Sequence, residues 1–130
     1  MYLYFHNDRM DGMRTLWIAL FLGWIGVGVS AQEFYQQEIT DEIFARIEGK
    51  SFKANCTTPR EDLRYLRVLH YNKDREVLEG ELICHKDIAD DLLVIFQELY
   101  KAAYPIERMV LIDEYDADDE ASMRANNTSA

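Results

Sequence analysis

The sequence predicts an α+β domain, and three stretches carry that expectation. YLRVLHY and VLEGELIC flank the polar NKDRE, two runs of β-branched, aromatic and aliphatic residues around a turn, which is the pattern of a β-hairpin. Downstream, Ile88, Leu92, Phe96, Leu99 and Ala103 recur at intervals of three to four, the spacing of one helix face. RMVLIDEY then alternates, Val110 and Ile112 against Leu111 and Asp113, and predicts a third strand from Arg108. With a short helix ahead of the hairpin the order is α-β-β-α-β.

The chain opens on a different texture. Residues 16–29, LWIALFLGWIGVGV, are fourteen uncharged residues preceded by Arg9 and Arg14 and followed by Val29-Ser30-Ala31. A basic start, an apolar run and small residues at a cleavage point form the pattern of a secretory signal. A membrane anchor is the competing reading, but a spanning helix needs roughly 20 apolar residues, and Gly23, Gly26 and Gly28 interrupt this run. Residues 1–31 are therefore expected to be an N-terminal extension and cleavable signal peptide, with Met1 or Met13 as the start. Residues 32–130 are expected to form part of one domain, exported to the periplasm or outside the cell, with no stable membrane span after cleavage.

Thr40 reads as a helix N-cap, with Ile39 and Phe44 placed as a hydrophobic staple and Asp41 and Glu42 at the positive end of the helix dipole. Gly49 stops that helix after residues 41–48. SFKANCTTPRED follows as a connector in which Pro59 discourages regular structure. The hairpin comes next, its turn lacking the Asn-Gly or Asp-Gly that would fix a turn type. Asp87, Asp90 and Asp91 in the first turn, Lys101 near the end and Pro105 just beyond bound the long helix to about residues 86–103. From Asp113 to Glu120 six of eight residues are acidic, which reads as a solvated surface loop.

With 24 acidic against 14 basic residues the net charge is −10, and the basic residues are scattered among acids. Nucleic acid is a poor partner for such a chain, because phosphate binding rests on clustered Lys and Arg. Two cysteines, Cys56 and Cys84, would meet an oxidising compartment. Their pairing as a disulfide would contribute about 3 to 4 kcal/mol in the chain-entropy model; two free thiols are the alternative.

Few residues point to catalysis. His70 and His85 match no metal-ligand spacing, and neither cysteine has a C-x-x-C partner for zinc. Asp116, Asp118 and Glu120 occupy the first positions of an EF-hand-like loop, yet Ala121 stands where its glycine belongs and Asn127 where its closing Glu belongs. No G-x-S-x-G elbow or glycine-rich phosphate loop occurs after residue 31. Asn55-Cys56-Thr57 and Asn126-Asn127-Thr128 match the glycosylation sequon, a short motif frequent by chance. No catalytic or metal-binding residue is assigned from the residues themselves.

PREDLRYLRVLHY, GELI, the run DLLVIFQELYKAAYPIERMVLIDEYDADDEASM and finally NNTSA together resemble the N-terminal part of bacterial exported zinc peptidases of the D-alanyl-D-alanine carboxypeptidase, VanY-like family. IDEYDADDEASM with NNTSA is the specific part of that resemblance. Three positions depart from it: the turn from Asn72 to Arg75 lacks a glycine, His85 stands where asparagine is expected, and Arg124 replaces a small or acidic residue. The resemblance implies part of a hedgehog/D-Ala-D-Ala-peptidase-like sheet and hydrolysis of peptidoglycan stem peptides by the full-length enzyme. It also implies a zinc cofactor whose ligands follow the NNTSA segment, so that this chain alone binds no metal and is inactive. Asn127, Thr128 and Ser129 would border the substrate cleft. A non-catalytic secreted α+β module, binding an envelope component or a protein partner through its acidic surface, is the alternative.

Overall fold

The computed structural model describes residues 33–128, so the expected signal peptide and Ser129 lie outside the described residues. The fold is α+β. Its elements are β1 (Tyr35–Glu38), α1 (Asp41–Ile47), β2 (Leu63–Tyr71), β3 (Val77–His85), α2 (Ala89–Lys101) and α3 (Asp119–Arg124). Short 3-10 turns stand at Arg60–Asp62, Lys86–Ile88 and Ile112–Tyr115. The strands form one antiparallel sheet in the order β1-β2-β3. No helix among the described residues is long and apolar enough to cross a membrane.

α1 starts where the sequence indicates, with Thr40 Oγ1 accepting from the Ile43 N–H at 3.3 Å. Its stop is set by Gly49 at φ +76°, a left-handed conformation that glycine adopts without the clash a Cβ would bring. The hairpin register pairs Leu63 with His85 and Tyr71 with Val77. Its turn needs no glycine because Asn72 organises it: Oδ1 accepts from the N–H groups of Asp74 (3.0 Å) and Glu76 (2.9 Å). Nδ2 of the same residue donates to the Glu76 carboxylate at 2.8 Å, and Arg75 takes the left-handed position at φ 61°. At the other end of β3, His85 Nδ1 accepts from the Asp87 N–H at 3.2 Å, opening the turn that leads into α2.

Alternation along the strands divides the core in two. Tyr65 faces one way and packs with Ile39, Ile43 and Ile47 of the α1 region, joined by Leu63, Ile83 and Leu111. Val68 faces the other and packs with Ile106 and Met109, under Leu93, Phe96 and Leu99 of α2. The sheet therefore lies between the two helices.

The expected strand from Arg108 is not a strand. Met109 and Leu111 are both buried, but two residues apart they enter opposite cores, whereas a strand would turn both to one face; Met109 accepts a backbone bond from Glu81 N–H at 2.8 Å on the outer side of β3. At Ile112 the chain turns into a 3-10 segment, and Asp116 and Ala117 at φ 54° and 58° reverse it before a ladder can extend. The third strand comes instead from Tyr35–Glu38.

The acidic segment is solvated as expected, every acid but Asp113 being exposed, but it is folded into a 3-10 turn and the start of α3 rather than a loop. Asp118 caps α3 by accepting from the Ala121 N–H at 3.1 Å. Asp113 is buried and accepts from the N–H and Oγ of Ser51 at 2.9 and 3.0 Å, and Asp116 pairs with Lys50 at 3.2 Å.

Cys56 is exposed and Cys84 half-buried, and both stand as free thiols, so the disulfide considered from the sequence is absent. Cys56 sits in the connector with Sγ against the Thr58 carbonyl at 3.6 Å, whereas Cys84 is opposite Arg64 in the hairpin. Burial pushes the Cys84 thiol above its ordinary pKa, and Arg64 only partly opposes this.

Candidate functional site

The described part of the NNTSA motif, Asn126 to Thr128, is built into the sheet's outer flank. Asn127 Oδ1 accepts from the Val110 N–H and its Nδ2 donates to the Val110 carbonyl, both at 2.9 Å, while Nδ2 also reaches Ser122 Oγ at 3.0 Å. A carboxamide offers one acceptor and two donors, so it reproduces the pair of bonds that a neighbouring strand would make. Thr128 continues the contact, its N–H donating to the Arg108 carbonyl at 2.9 Å, in parallel register. Asn126, at φ 52°, provides the left-handed turn that lets α3 end and the chain bend back.

Asn127 and Thr128 also border a groove of about 600 Å³ whose other walls include Phe96 and Leu99 of α2, Tyr104, Pro105 and Met123. Tyr104 and Met123 are 57 % and 72 % exposed, so this groove is open and largely apolar. Of the residues expected at a substrate cleft, two are thus brought together there. Asn127 does a structural task that its sequence position did not disclose; its position opposite Val110 depends on the turn at Asn126.

The histidines are not brought together. His70 pairs with Leu78 and His85 with Leu63, seven residues apart along the hairpin, or about 23 Å at ~3.3 Å per residue. Among the described residues no group of three His, Cys, Asp or Glu side chains is arranged to hold a metal ion. The described residues do not fit a zinc centre, and no step through zinc follows from them.

The densest polar cluster lies on the α1 side of the sheet. Glu81 on β3 accepts from Arg46 Nη1 and Nη2 at 3.1 and 2.5 Å and from the Tyr65 hydroxyl at 2.6 Å. Arg46 also holds Glu114 at 2.8 Å, joining α1, β3 and the 3-10 turn. Burial alone would push the Glu81 carboxyl up, but the Arg46 guanidinium and Tyr65 hydroxyl outweigh it and hold the pKa below the ordinary value. Burial, then the neighbouring Glu81 carboxylate, push the Tyr65 hydroxyl up. The adjacent Arg67 donates to Tyr65 at 3.1 Å and forms an ion pair with Glu79. With every one of these charges partnered, the cluster reads as a brace and offers no general acid or base.

These features define an α+β domain with an incomplete sheet, braced on one face and flanked by an apolar groove at Asn127 and Thr128. Compared with protein-family models, curated proteins and solved structures, the chain matches none.

Proposed function

We propose that this chain is the supporting part of a bacterial exported zinc peptidase of D-alanyl-D-alanine carboxypeptidase type, hydrolysing peptidoglycan stem peptides in its full-length form. One observation supports the reading most: the segment that carries the specific part of the resemblance ends with Asn127 and Thr128 fixed in parallel register beside Arg108 and Val110, at a groove. In this reading the hairpin and α2 hold the sheet, Asn127 locks its outer flank, and Thr128 and Ser129 border the stem peptide. Zinc would be held by residues outside 33–128.

The alternative of an envelope-binding module acting through its acidic surface has less support. Asp113 is buried against Ser51 and so leaves that surface, Asp116 is paired with Lys50, and Asp118 caps α3.

The test is release of D-alanine from a peptide ending in D-Ala-D-Ala, assayed with the gene's complete product and with the 130-residue chain. The complete product should release it, and a chelator should abolish the activity; the 130-residue chain should release none. A zinc-loaded complete product without activity, or one indifferent to chelation, overturns the proposal.

A further inference from the structure

Tyr71 ends β2 and Tyr100 lies in the last turn of α2, and their rings are stacked, with centroids 4.9 Å apart and planes 9° from parallel. Among the described residues no other two tyrosines share a ring contact. The hydroxyls meet as well: that of Tyr71, ahead of burial, pushes the Tyr100 hydroxyl above its ordinary pKa. Both side chains are half-buried, so the pair is held without being sealed from solvent.

The fold pins both rings. Ile106 N–H donates to the Tyr71 carbonyl at 2.7 Å and Ala103 N–H to the Tyr100 carbonyl at 2.9 Å, with Ala103 at φ 52° turning the chain between them. Phe34 packs against Tyr100, ring centroids 5.6 Å apart. The remaining described tyrosines are placed differently: Tyr65 donates to Glu81, Tyr115 accepts from Arg108, and Tyr35 and Tyr104 are exposed.

Phenols held face to face favour one reaction. A phenoxyl radical carries spin on its ortho carbons, and two radicals in contact join there without the bimolecular encounter that separate rings need. We propose that Tyr71 and Tyr100 form an oxidative cross-linking site, joined through their Cε carbons under an outer-sphere one-electron oxidant. Each phenol gives one electron to the oxidant and its hydroxyl proton to water. The two radicals then form one Cε–Cε bond, and the hydrogen on each bonded Cε leaves as a proton while one returns to each oxygen, restoring both phenols. Two electrons and two protons are lost in all. The link ties the end of β2 to the end of α2 and restricts the unfolded chain as a disulfide does, in a chain whose cysteines stand as free thiols. The inference does not depend on the peptidase reading.

The test exposes the full chain, dilute in detergent micelles and with its thiols alkylated, to photogenerated tris(bipyridine)ruthenium(III). Trypsin, cutting after Arg67, Lys73, Lys86 and Lys101, leaves Tyr71 and Tyr100 as the single tyrosines of peptides 68–73 and 87–101. Mass spectrometry should find these two peptides joined and lighter by two hydrogens, in chains that still run as monomers. Tyr100→Phe keeps the stack and removes the phenol, and should lose the joined product; Tyr104→Phe removes an exposed tyrosine nearby and should keep it. Unfolding in urea before oxidation should abolish the preference for this pair. Products that chiefly join other tyrosines, links formed only between molecules, an equal yield from the urea-unfolded chain, or a joined product surviving in Tyr100→Phe would each overturn the assignment.

Discussion

Replacing Glu81 with Gln removes one negative charge and keeps the side chain's shape, so it isolates the brace between α1 and β3. The carboxylate takes two hydrogen bonds from Arg46 and one from Tyr65. Bonds to a charged group contribute about 1.5–3 kcal/mol. The Arg46 side chain is 37 % exposed and retains Glu114, so solvent screening places the loss toward the low end, about 2 kcal/mol. That corresponds to a urea midpoint lower by about 1–2 M. The sign with pH follows from the depressed carboxyl: the unfolded chain binds the proton first, near pH ~4.3. The stabilisation is therefore complete above that value and is lost as pH falls through the lower folded pKa. Arg46, pushed upward, adds no dependence in this range. Near-UV circular dichroism of the tyrosines is the suitable signal, because the Tyr65 hydroxyl is itself bonded to Glu81. Urea titrations between pH 3 and 7 should show the wild-type stability rising more steeply with pH than that of Glu81→Gln. Parallel pH profiles, or a difference at pH 7 under about 0.5 kcal/mol, would refute the brace.

Other substitutions probe the outer flank of β3. Gly80→Ala would put a Cβ 2.9 Å from Met109 Cβ and 3.1 Å from both His70 Cδ2 and Val68 Cγ2, and Met109 Cβ cannot swing away from its own backbone. A loss of about 1–3 kcal/mol is expected, read by thermal melting. Asn127→Ala removes both bonds to Val110, so amide exchange at Val110 should accelerate while that in the middle of β2 stays slow; Thr128→Ala, which keeps its backbone bond to Arg108, should leave Val110 protected.

The sequence disclosed the elements whose signals are local. Thr40 caps as its hydroxyl predicts, and the apolar runs from Tyr65 and Val77 pair as a hairpin. The long helix begins one 3-10 turn late because His85 takes the cap. β1 was illegible: YQQE has no apolar alternation and is a strand only because β2 offers it a partner. The segment from Met109 to Leu111 shows the reverse error: its apolar run reads as a strand, but Met109 and Leu111 enter different cores and no ladder forms. At the candidate site, Asn127 and Thr128 could be picked out by resemblance, but the bond from Asn127 to Val110 spans 17 residues and rests on a left-handed Asn126.

The brace through Arg46 also has a place in time. The hairpin closes over the turn at residues 72–76, whereas Arg46 must find Glu81 across 35 residues and Glu114 across 68. Longer loops cost more entropy to close, so β2 and β3 are expected to meet before α1 docks. The guanidinium would then be a latch closed after the main barrier, and Arg46→Ala is expected to speed unfolding while leaving the folding rate nearly unchanged, as stopped-flow urea jumps would show.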